Sequence, residues 1–505
     1  MAQKKVSVQM NIIMNFILTI SNIIFPLITF PYVSRVLMPV GTGKVAFATS
    51  IVSYFAMVGM LGIPTYGIRA CAKVRDDKDK LSKTVQEIMV INTIAMTLSL
   101  VTYLLAIMLV PRMAQDRTLF MINIATLVFN LIGCEWLYKA LEQYTYITVR
   151  SVALKFVSLV LMFLLVHQKG DYVLYGAITI LASVGSNLFN FINLRRYLNL
   201  KWYSGMDLKQ HIQPIFSFFM MTVATTIYTN LDAVMLGFMK DDAAVGYYNA
   251  SVKIKGILVS LVTSMGSVLL PRLSYYVKHD KKDEFRVLTV RSLQFIGFIS
   301  IPLWAYFTLF AKQGIDFLSG PDYAGSILPM QIIMPTLFFI GLSNLLGIQI
   351  LVPMERENQV LKSVVLGAIV DLMINAMTIP AFGAAGAAFG TLVAELFVVA
   401  YQIFVLRDFL KDIMAQIRMD KNVLATVLAS LAAFAVYVSF LTGLSSFLVL
   451  AATAAVFGLV YLLLSFLFKD AFLLYLVSYY KNKKQGDQGE DYQTYRSYSQ
   501  VLRHA

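Results

Sequence analysis

The feature that most constrains this chain is its succession of apolar runs, each long enough to cross a lipid bilayer. A membrane-spanning helix needs about 20 mainly apolar residues. Of the 505 residues, 58% are hydrophobic and 14% are charged, whereas an ordinary soluble chain is about 25% charged. The sequence therefore predicts an all-α polytopic membrane protein. Its fourteen predicted spans are residues 10–34, 45–68, 84–109, 118–138, 147–166, 173–194, 214–238, 245–270, 288–310, 325–352, 363–380, 385–406, 422–442 and 446–468.

The basic residues, which give the chain a formal net charge of +14, follow the predicted topology. With the N-terminus inside, the cytoplasmic loops and tails hold 30 of the 42 Lys and Arg residues, and the outer loops hold 7. Cytoplasmic loops of membrane proteins carry an excess of this kind. The charge therefore predicts a multi-pass protein with both termini in the cytoplasm, and it does not indicate nucleic-acid binding.

Two parts of the chain resemble each other at an offset slightly above 200 residues. The early stretch reads VLMPVGTGKVAFATSI, and the later one reads VMLGFMKDDAAVGYYNASVKI. In each, a hydrophobic helix ends in a short outer loop, and a glycine, Gly43 or Gly246, begins the next helix. A repeat of six spans keeps both copies in one orientation, as in transporters whose halves are related by an axis along the membrane normal. The predicted domains are a six-helix bundle at 1–200, a second at 201–410, two extra helices at 411–468, and a cytoplasmic interfacial helix with a polar tail at 469–505.

Five motifs distributed along the chain are FPYVSRVLMPVGTGKVAFATSIVSYF, LGIPTYGIRACAKVR, LDAVMLGFMKDDAAVGYYNASVKI, LLPRLS and IPAFGAAGAAFGTLVAE. Together they resemble the Wzx-type polysaccharide transporters, which are bacterial oligosaccharide flippases of the MOP superfamily. The resemblance runs to about residue 405 and implies a MATE-like fold. It implies that undecaprenyl-pyrophosphate-linked oligosaccharide units are moved by alternating access from the cytoplasmic to the outer leaflet of the bacterial cytoplasmic membrane. Capsule or exopolysaccharide synthesis would use the product, with polysaccharide polymerase machinery and membrane lipids as partners.

Charged residues inside or beside the predicted spans are candidates for substrate or ion sites. A charge at the bilayer centre costs about 2.5–3.5 kcal/mol on insertion scales, so such residues usually face the protein interior or a wet cavity. A pyrophosphate is bound by cations. The candidate cations are Lys253, Arg35, Lys155, Arg150 and Arg291.

The lysines among these candidates also have structural interpretations. Lys253 can pair with Asp232 on the preceding helix and hold the two helices together. Lys255 points about 200° away from Lys253 on an α-helix and is expected to be structural. Lys155 has Glu135 as its predicted partner.

The arginines have structural interpretations as well. Arg150 and Arg291 lie near enough to the predicted cytoplasmic surface to snorkel to lipid headgroups. Arg35 lies at the outer end of the first span, where it can anchor the chain at the interface. Its guanidinium would equally suit phosphate oxygens.

Two carboxylates, Asp371 and Glu395, lie near the middle of predicted spans and are candidates for coupling transport to H⁺ or Na⁺. The alternative is a buried carboxyl group that its apolar surroundings keep neutral. A histidine proton relay is disfavoured, because every histidine falls in a predicted loop or in the tail. These histidines are His167, His211, His279 and His504.

Several functional classes are disfavoured by what the sequence lacks. It has no GxxxxGK[ST] pattern for nucleotide binding, no metal-ligand spacing of Cys and His, and no nucleophile elbow. No cofactor, metal or enzymatic activity is therefore expected. The main alternative to a flippase is a cation-coupled multidrug exporter of the same superfamily, whose cavity would need carboxylates. A membrane-embedded glycosyltransferase or polymerase is disfavoured because the longest predicted outer loop, 311–324, has only fourteen residues.

Overall fold

The structure is a computed structural model, and it describes residues 8–199, 201–414, 416–417 and 419–484. Within these ranges all regular secondary structure is helical. The all-α class predicted from the sequence is therefore confirmed. The predicted polar tail after residue 484 lies outside the described residues.

The first eleven helices share a mainly apolar composition and are joined by short turns. They are α1 (Val8–Met60), α2 (Ile63–Val74), α3 (Lys78–Leu109), α4 (Pro111–Ala114), α5 (Arg117–Ile122), α6 (Ile124–Gly133), α7 (Glu135–Ala140), α8 (Tyr144–Leu165), α9 (Tyr172–Ile180), α10 (Asn187–Tyr197) and α11 (Lys209–Met239). The start of α3 is capped by a side chain. The Asp77 carboxylate accepts hydrogen bonds from the backbone N–H groups of Asp79 and Lys80 at 3.1 Å each.

The later helices continue the same pattern. They are α12 (Asp242–Val262), α13 (Gly266–Lys278), α14 (Lys282–Leu309), α15 (Ala311–Leu318), α16 (Ile327–Ile333), α17 (Thr336–Ser343), α18 (Glu357–Phe382), α19 (Ala384–Val405), α20 (Arg407–Met414), α21 (Asp420–Val436), α22 (Ser446–Leu467) and α23 (Ala471–Lys484). Short 3₁₀ or π segments of three to eight residues adjoin several helices along the chain.

Eleven helical stretches within the described ranges are long and apolar enough to cross a membrane, or twelve if the bent pair Pro321–Ile333 and Thr336–Leu351 forms one span. The first stretch, Gln9–Val74, contains the first two predicted spans. The predicted span 245–270 corresponds to α12, which carries two lysines and is not among the eleven. The multi-pass architecture is confirmed, while the total of fourteen spans stays a prediction.

The predicted loop between the first two spans is reduced to one break inside α1. Met38 has φ 59° and ψ 177°, a backbone conformation that residues other than glycine rarely adopt. The two glycines of the repeated motif then meet closely packed backbone. A Cβ on Gly43 would lie 1.7 Å from the carbonyl oxygen of Asp242, and one on Gly246 would lie 2.0 Å from that of Pro39. The motif therefore needs glycine because two backbones approach each other there.

The chain forms two compact units. Within the described ranges, the first consists of residues 8–251, 315–329 and 371–390, and the second of residues 252–314, 330–370 and 391–484. The first unit has apolar clusters around Ile63 and Val33, and the second has clusters around Leu273 and Phe457. The predicted six-helix bundles with a boundary after residue 200 stay a prediction.

The first unit is joined to its segment 315–329 by several hydrogen bonds. The Ser34 hydroxyl donates to the carbonyl oxygen of Leu318 at 3.4 Å. The Thr42 and Tyr323 hydroxyls are 2.7 Å apart, and the Ser251 hydroxyl donates to the Ser326 carbonyl at 3.0 Å. This segment therefore belongs structurally to helices formed far earlier in the chain.

Candidate functional site

A buried polar cluster in the first unit joins α11 to α18. The Asn375 side-chain nitrogen donates to Asp232 Oδ1 at 2.6 Å and to Asp371 Oδ1 at 3.1 Å. The Tyr248 hydroxyl donates to the other oxygen of Asp232. Asp232, Asp371 and Asn375 are only 6%, 1% and 0% exposed. One amide therefore bridges two carboxyl groups that are almost fully removed from solvent.

The local sequence explains how this cluster is built. Asp371 and Asn375 are four residues apart on α18, so they share one face of that helix. Asn375 Oδ1, a buried acceptor, has no hydrogen-bond partner within the described part of the chain, although buried polar atoms are usually paired. The cluster thus offers an unused acceptor oxygen beside two carboxyl groups, which is an arrangement suited to holding a proton or a small cation.

Asp371 was a predicted coupling residue and Asp232 a predicted structural one, and the structure brings them together. Asn375 was not among the predicted site residues, because it is neutral and the candidates were charged residues inside the spans. Its i to i+4 spacing from Asp371 was the available signal. Glu395, the second predicted coupling carboxylate, is 5% exposed on α19 and belongs to the second unit; its role stays a prediction.

Arg35 makes a dense set of bonds to backbone carbonyl oxygens. Its guanidinium donates to Pro31 at 2.6 Å and to Phe317 at 2.6 Å, with longer bonds to Asp316 at 3.3 Å and Leu318 at 3.5 Å. The last three carbonyls belong to the final turn of α15, the negative end of that helix dipole, which attracts cations. These bonds favour the structural interpretation of Arg35 over its use as a phosphate ligand.

Arg150 is an internal ion-pair residue. It is 6% exposed, donates to Ser186 Oγ at 2.6 Å and contacts Glu135 Oε2 at 3.2 Å. Glu135 also pairs with Lys139 at 2.8 Å. The expectation that Arg150 snorkels to headgroups is therefore wrong, because its charge is compensated inside the protein.

Lys155 does not have the partner that the sequence suggested. Its ammonium donates to Ser21 Oγ at 2.8 Å and to the side-chain oxygen of Asn22, both on α1. The predicted pair between Lys155 and Glu135 is wrong, since Arg150 and Lys139 occupy the carboxylate instead. Spacing along the chain located these charges but did not determine which helices face each other.

The remaining predicted cations lie in the second unit. The Arg291 guanidinium is 4.2 Å from the centre of the Tyr475 ring, close enough for a cation–π interaction. Lys253 and Lys255 are half-buried on α12. Their roles, including the predicted pair of Lys253 with Asp232, stay predictions.

A second buried polar group in the first unit involves a histidine. His211 Nδ1 lies 2.6 Å from the Tyr66 hydroxyl, and its Nε2 lies 2.9 Å from Glu87 Oε2. His211 is 4% and Glu87 2% exposed. The expectation that His211 lies in a loop is wrong, because it is on the first turn of α11. The predicted span began at residue 214, five residues after α11 begins, because the first residues of the helix are polar and Pro214 follows them.

Comparison with known proteins shows what this chain is related to. The family described as polysaccharide biosynthesis protein matches residues 8–277, more than half of the chain. A protein of Escherichia coli (strain K12) described as an O-antigen transporter is 25% identical over 413 residues, which cover 81% of this chain and 99% of that protein. A protein of Shigella dysenteriae with the same description is 22% identical over 408 residues, covering 78% and 98%.

Solved structures identify the fold. The lipid II flippase MurJ, in an inward closed conformation, superposes with a TM-score of 0.72 at 14% identity and covers 92% of this chain and 99% of its own. An inward-facing multidrug resistance MATE transporter of the MOP superfamily gives a TM-score of 0.59 at 11% identity, covering 80% and 99%. At these identities the likeness concerns the fold alone.

The fold defines a multi-pass membrane protein with the architecture of MOP-type transporters. The chain belongs to the polysaccharide biosynthesis protein family, as the resemblance to Wzx-type flippases predicted. Its named relatives and structural neighbours are transporters and flippases rather than enzymes, in agreement with the expectation that this chain is not an enzyme.

Proposed function

We propose that this protein is a flippase for lipid-linked oligosaccharides in the bacterial cytoplasmic membrane. It moves undecaprenyl-pyrophosphate-linked repeat units from the cytoplasmic to the outer leaflet, for capsule or exopolysaccharide synthesis. The observation that carries the proposal is the alignment with an O-antigen transporter over 99% of that protein's length. The fold of a lipid II flippase supports it, because lipid II is also a lipid-linked saccharide.

The proposed mechanism is alternating access between two helical bundles. The headgroup enters from the cytoplasmic side and leaves on the outer side, while the lipid tail stays in the bilayer. Transporters with parallel repeats move largely by rocking of one bundle against the other. Both solved neighbours are transport proteins of this fold, which supports the analogy. With cytoplasmic termini, the positive-inside distribution of Lys and Arg fits the same orientation.

We propose that the Asp232–Asn375–Asp371 cluster supplies the coupling site for H⁺ or Na⁺. Two carboxylates held by one amide in a buried site repel each other when both are charged, so uptake of one cation is favourable. Release of the ion would restore the repulsion and favour the other conformation. Glu395 remains a second candidate for this role.

We propose that Lys253 binds the pyrophosphate group of the substrate. Lys253 lies within the predicted span 245–270 and is half-buried on α12. A cation within the membrane usually faces the protein interior or a wet cavity, where it suits a pyrophosphate. The alternative function is cation-coupled multidrug export. Its support is the MATE transporter structure, which has a lower TM-score than MurJ and covers less of this chain.

The test is complementation of a bacterial strain that lacks its own polysaccharide flippase. Wild-type protein is expected to restore surface polymer and to deplete the lipid-linked repeat that accumulates on the cytoplasmic face. Asp371→Asn and Lys253→Ala at equal expression are expected to fail, whereas Lys281→Ala, an exposed lysine at the start of α14, is expected to succeed. If the wild type restores no polymer but confers resistance to cationic dyes, the export alternative replaces the proposal.

A further inference from the structure

A cavity of about 390 Å³ opens between α2, α3 and α11 of the first unit. This volume falls in the range of about 300–1,000 Å³ that is typical of small-molecule sites. Two of its lining residues are basic and none is acidic. The polar residues that line it are Tyr66, Arg69, Lys73, Thr84, Gln210 and His211.

The two basic side chains are available to a ligand. Arg69 and Lys73 are four residues apart on α2, so they share one helix face, and both are exposed. Neither makes a hydrogen bond or an ion pair with another residue in the described ranges. By contrast, the nearby Arg75 is paired with Glu142 at 2.6 Å. Within the described ranges, Arg69 and Lys73 therefore line the cavity without a carboxylate partner.

The cavity wall next to these cations is polar, and hydrogen bonds hold its side chains in place. The Tyr66 hydroxyl is held by His211 Nδ1 at 2.6 Å, and His211 Nε2 is held by Glu87 at 2.9 Å. Glu87 also accepts the backbone N–H of Asp207 at 2.9 Å and the side-chain amide of Gln210 at 3.3 Å. Glu87 does not line the cavity. Its carboxylate orients His211 from the far side, as outer-shell carboxylates orient functional histidines.

We propose that this cavity is a binding site for a phosphate-class anion, with Arg69 and Lys73 as charged ligands. An arginine fork and a lysine ammonium are the usual partners of phosphate oxygens. Tyr66, Gln210 and Thr84 add polar groups to the same wall. The ligand is a phosphate or pyrophosphate group, carried by a lipid or free in solution. This site is separate from the proposed coupling cluster, and no step of the proposed transport requires it.

The experiment measures equilibrium binding to the purified full-length protein in two arms. One arm uses inorganic pyrophosphate with protein in detergent. The other uses undecaprenyl phosphate in phosphatidylcholine nanodiscs. The test variant is Arg69→Gln with Lys73→Gln. Its control is Lys78→Gln with Lys80→Gln, which removes the same charge from exposed residues nearby that do not line the cavity.

The test variant is expected to weaken binding at least about tenfold, as loss of two charge-assisted contacts should, while the control changes it less than about twofold. Loss in the lipid arm alone assigns the site to a lipid headgroup, and loss in both arms assigns it to any phosphate. The proposal is overturned if wild-type protein binds neither probe, or if test and control variants bind equally. Binding is measured without transport, so its outcome is independent of the flippase assay.

Discussion

Gly390 packs directly against Asn375: a Cβ at position 390 would lie 2.1 Å from Asn375 Oδ1 and 3.0 Å from Asp371 Oδ1. The coupling cluster on α18 is therefore closed on one side by the bare backbone of α19. No side chain larger than hydrogen fits there without moving the amide that bridges the two carboxyl groups.

Gly390→Ala is expected to abolish polymer export while the protein still inserts, because the added methyl displaces Asn375 from Asp232 and Asp371. Overpacking of this kind costs roughly 1–3 kcal/mol. Export in the flippase-deficient strain and the amount of protein in the membrane are the measurements. Gly458→Ala on α22, where a Cβ meets nothing within 4 Å, serves as the control. Wild-type export by Gly390→Ala would show that the cluster is not used in transport.

Gly43→Ala and Gly246→Ala are each expected to lower the thermal stability of the detergent-purified protein. A Cβ at either position would overlap a backbone carbonyl oxygen, at 1.7 Å and 2.0 Å respectively. Backbone cannot rotate away as a side chain can, so the loss should be at the upper end of the roughly 1–3 kcal/mol for overpacking. Gly170→Ala, which has open space around it, should leave the melting temperature unchanged. Equal melting temperatures for all three variants would contradict the close packing.

The pair of Arg150 and Glu135 should show energetic coupling that Lys155 and Glu135 lack. Residues in one ion-pair network couple by roughly 0.5–3 kcal/mol in double-mutant cycles. The variants are Arg150→Gln, Lys155→Gln and Glu135→Gln, alone and combined, with unfolding free energies measured by denaturant titration. Coupling is expected near the lower half of that range, because the Glu135 side chain is 36% exposed. A larger coupling for the Lys155 cycle than for the Arg150 cycle would reverse the assignment.

Asp470 should make the docking of α23 sensitive to pH. Burial raises the pKa of this carboxyl group. The hydrogen bonds that it accepts from the backbone N–H groups of Leu473 and Phe472 lower the pKa, but by less than burial raises it. The folded state therefore holds the proton more tightly than the unfolded chain, whose Asp pKa is about 3.9. The contribution of protonated Asp470 to the stability of the fold is therefore complete below the unfolded pKa, and it is lost as the pH rises through the folded pKa.

Hydrogen-exchange protection of α23, compared at several pH values, measures this effect. Protection should fall as the pH rises in the wild type, and Asp470→Asn should remove the dependence while keeping the cap. Asp470→Ala should lose the cap and about 0.5–2 kcal/mol at every pH. A wild-type protection factor that increases with pH would contradict the raised pKa.

The sequence predicted the features that depend on patterns along one helix. Apolar runs predicted the multi-pass fold. The repeated glycine motif was predicted only to begin a helix after an outer loop, and the close backbone contact of Gly43 and Gly246 became visible in the structure. Contacts between helices were not predictable in this way. Lys155 and Arg150 are five residues apart on one helix, so nothing in the spacing decides which one reaches Glu135.

Two buried groups were missed for a different reason. Asn375 is neutral, so the pattern of intramembrane charges does not include it, although it joins two acidic residues. His211 stands among polar residues at the start of its helix, where apolar periodicity gives no signal. Both positions became visible only when another helix supplied a partner, Asp232 for the amide and Glu87 for the imidazole.

The segments 315–329 and 371–390, which are joined to the first unit, have a consequence for how the protein is made. Residues 1–251 leave the ribosome without the α15 carbonyls that Arg35 binds and without the amide that bridges Asp232 and Asp371. At about 5–20 residues per second, synthesis of the chain from residue 251 to residue 390 takes roughly 7–28 s. During that interval Arg35 and Asp232 lie in the membrane with only the partners that the first 251 residues supply, such as the Pro31 carbonyl and the Tyr248 hydroxyl.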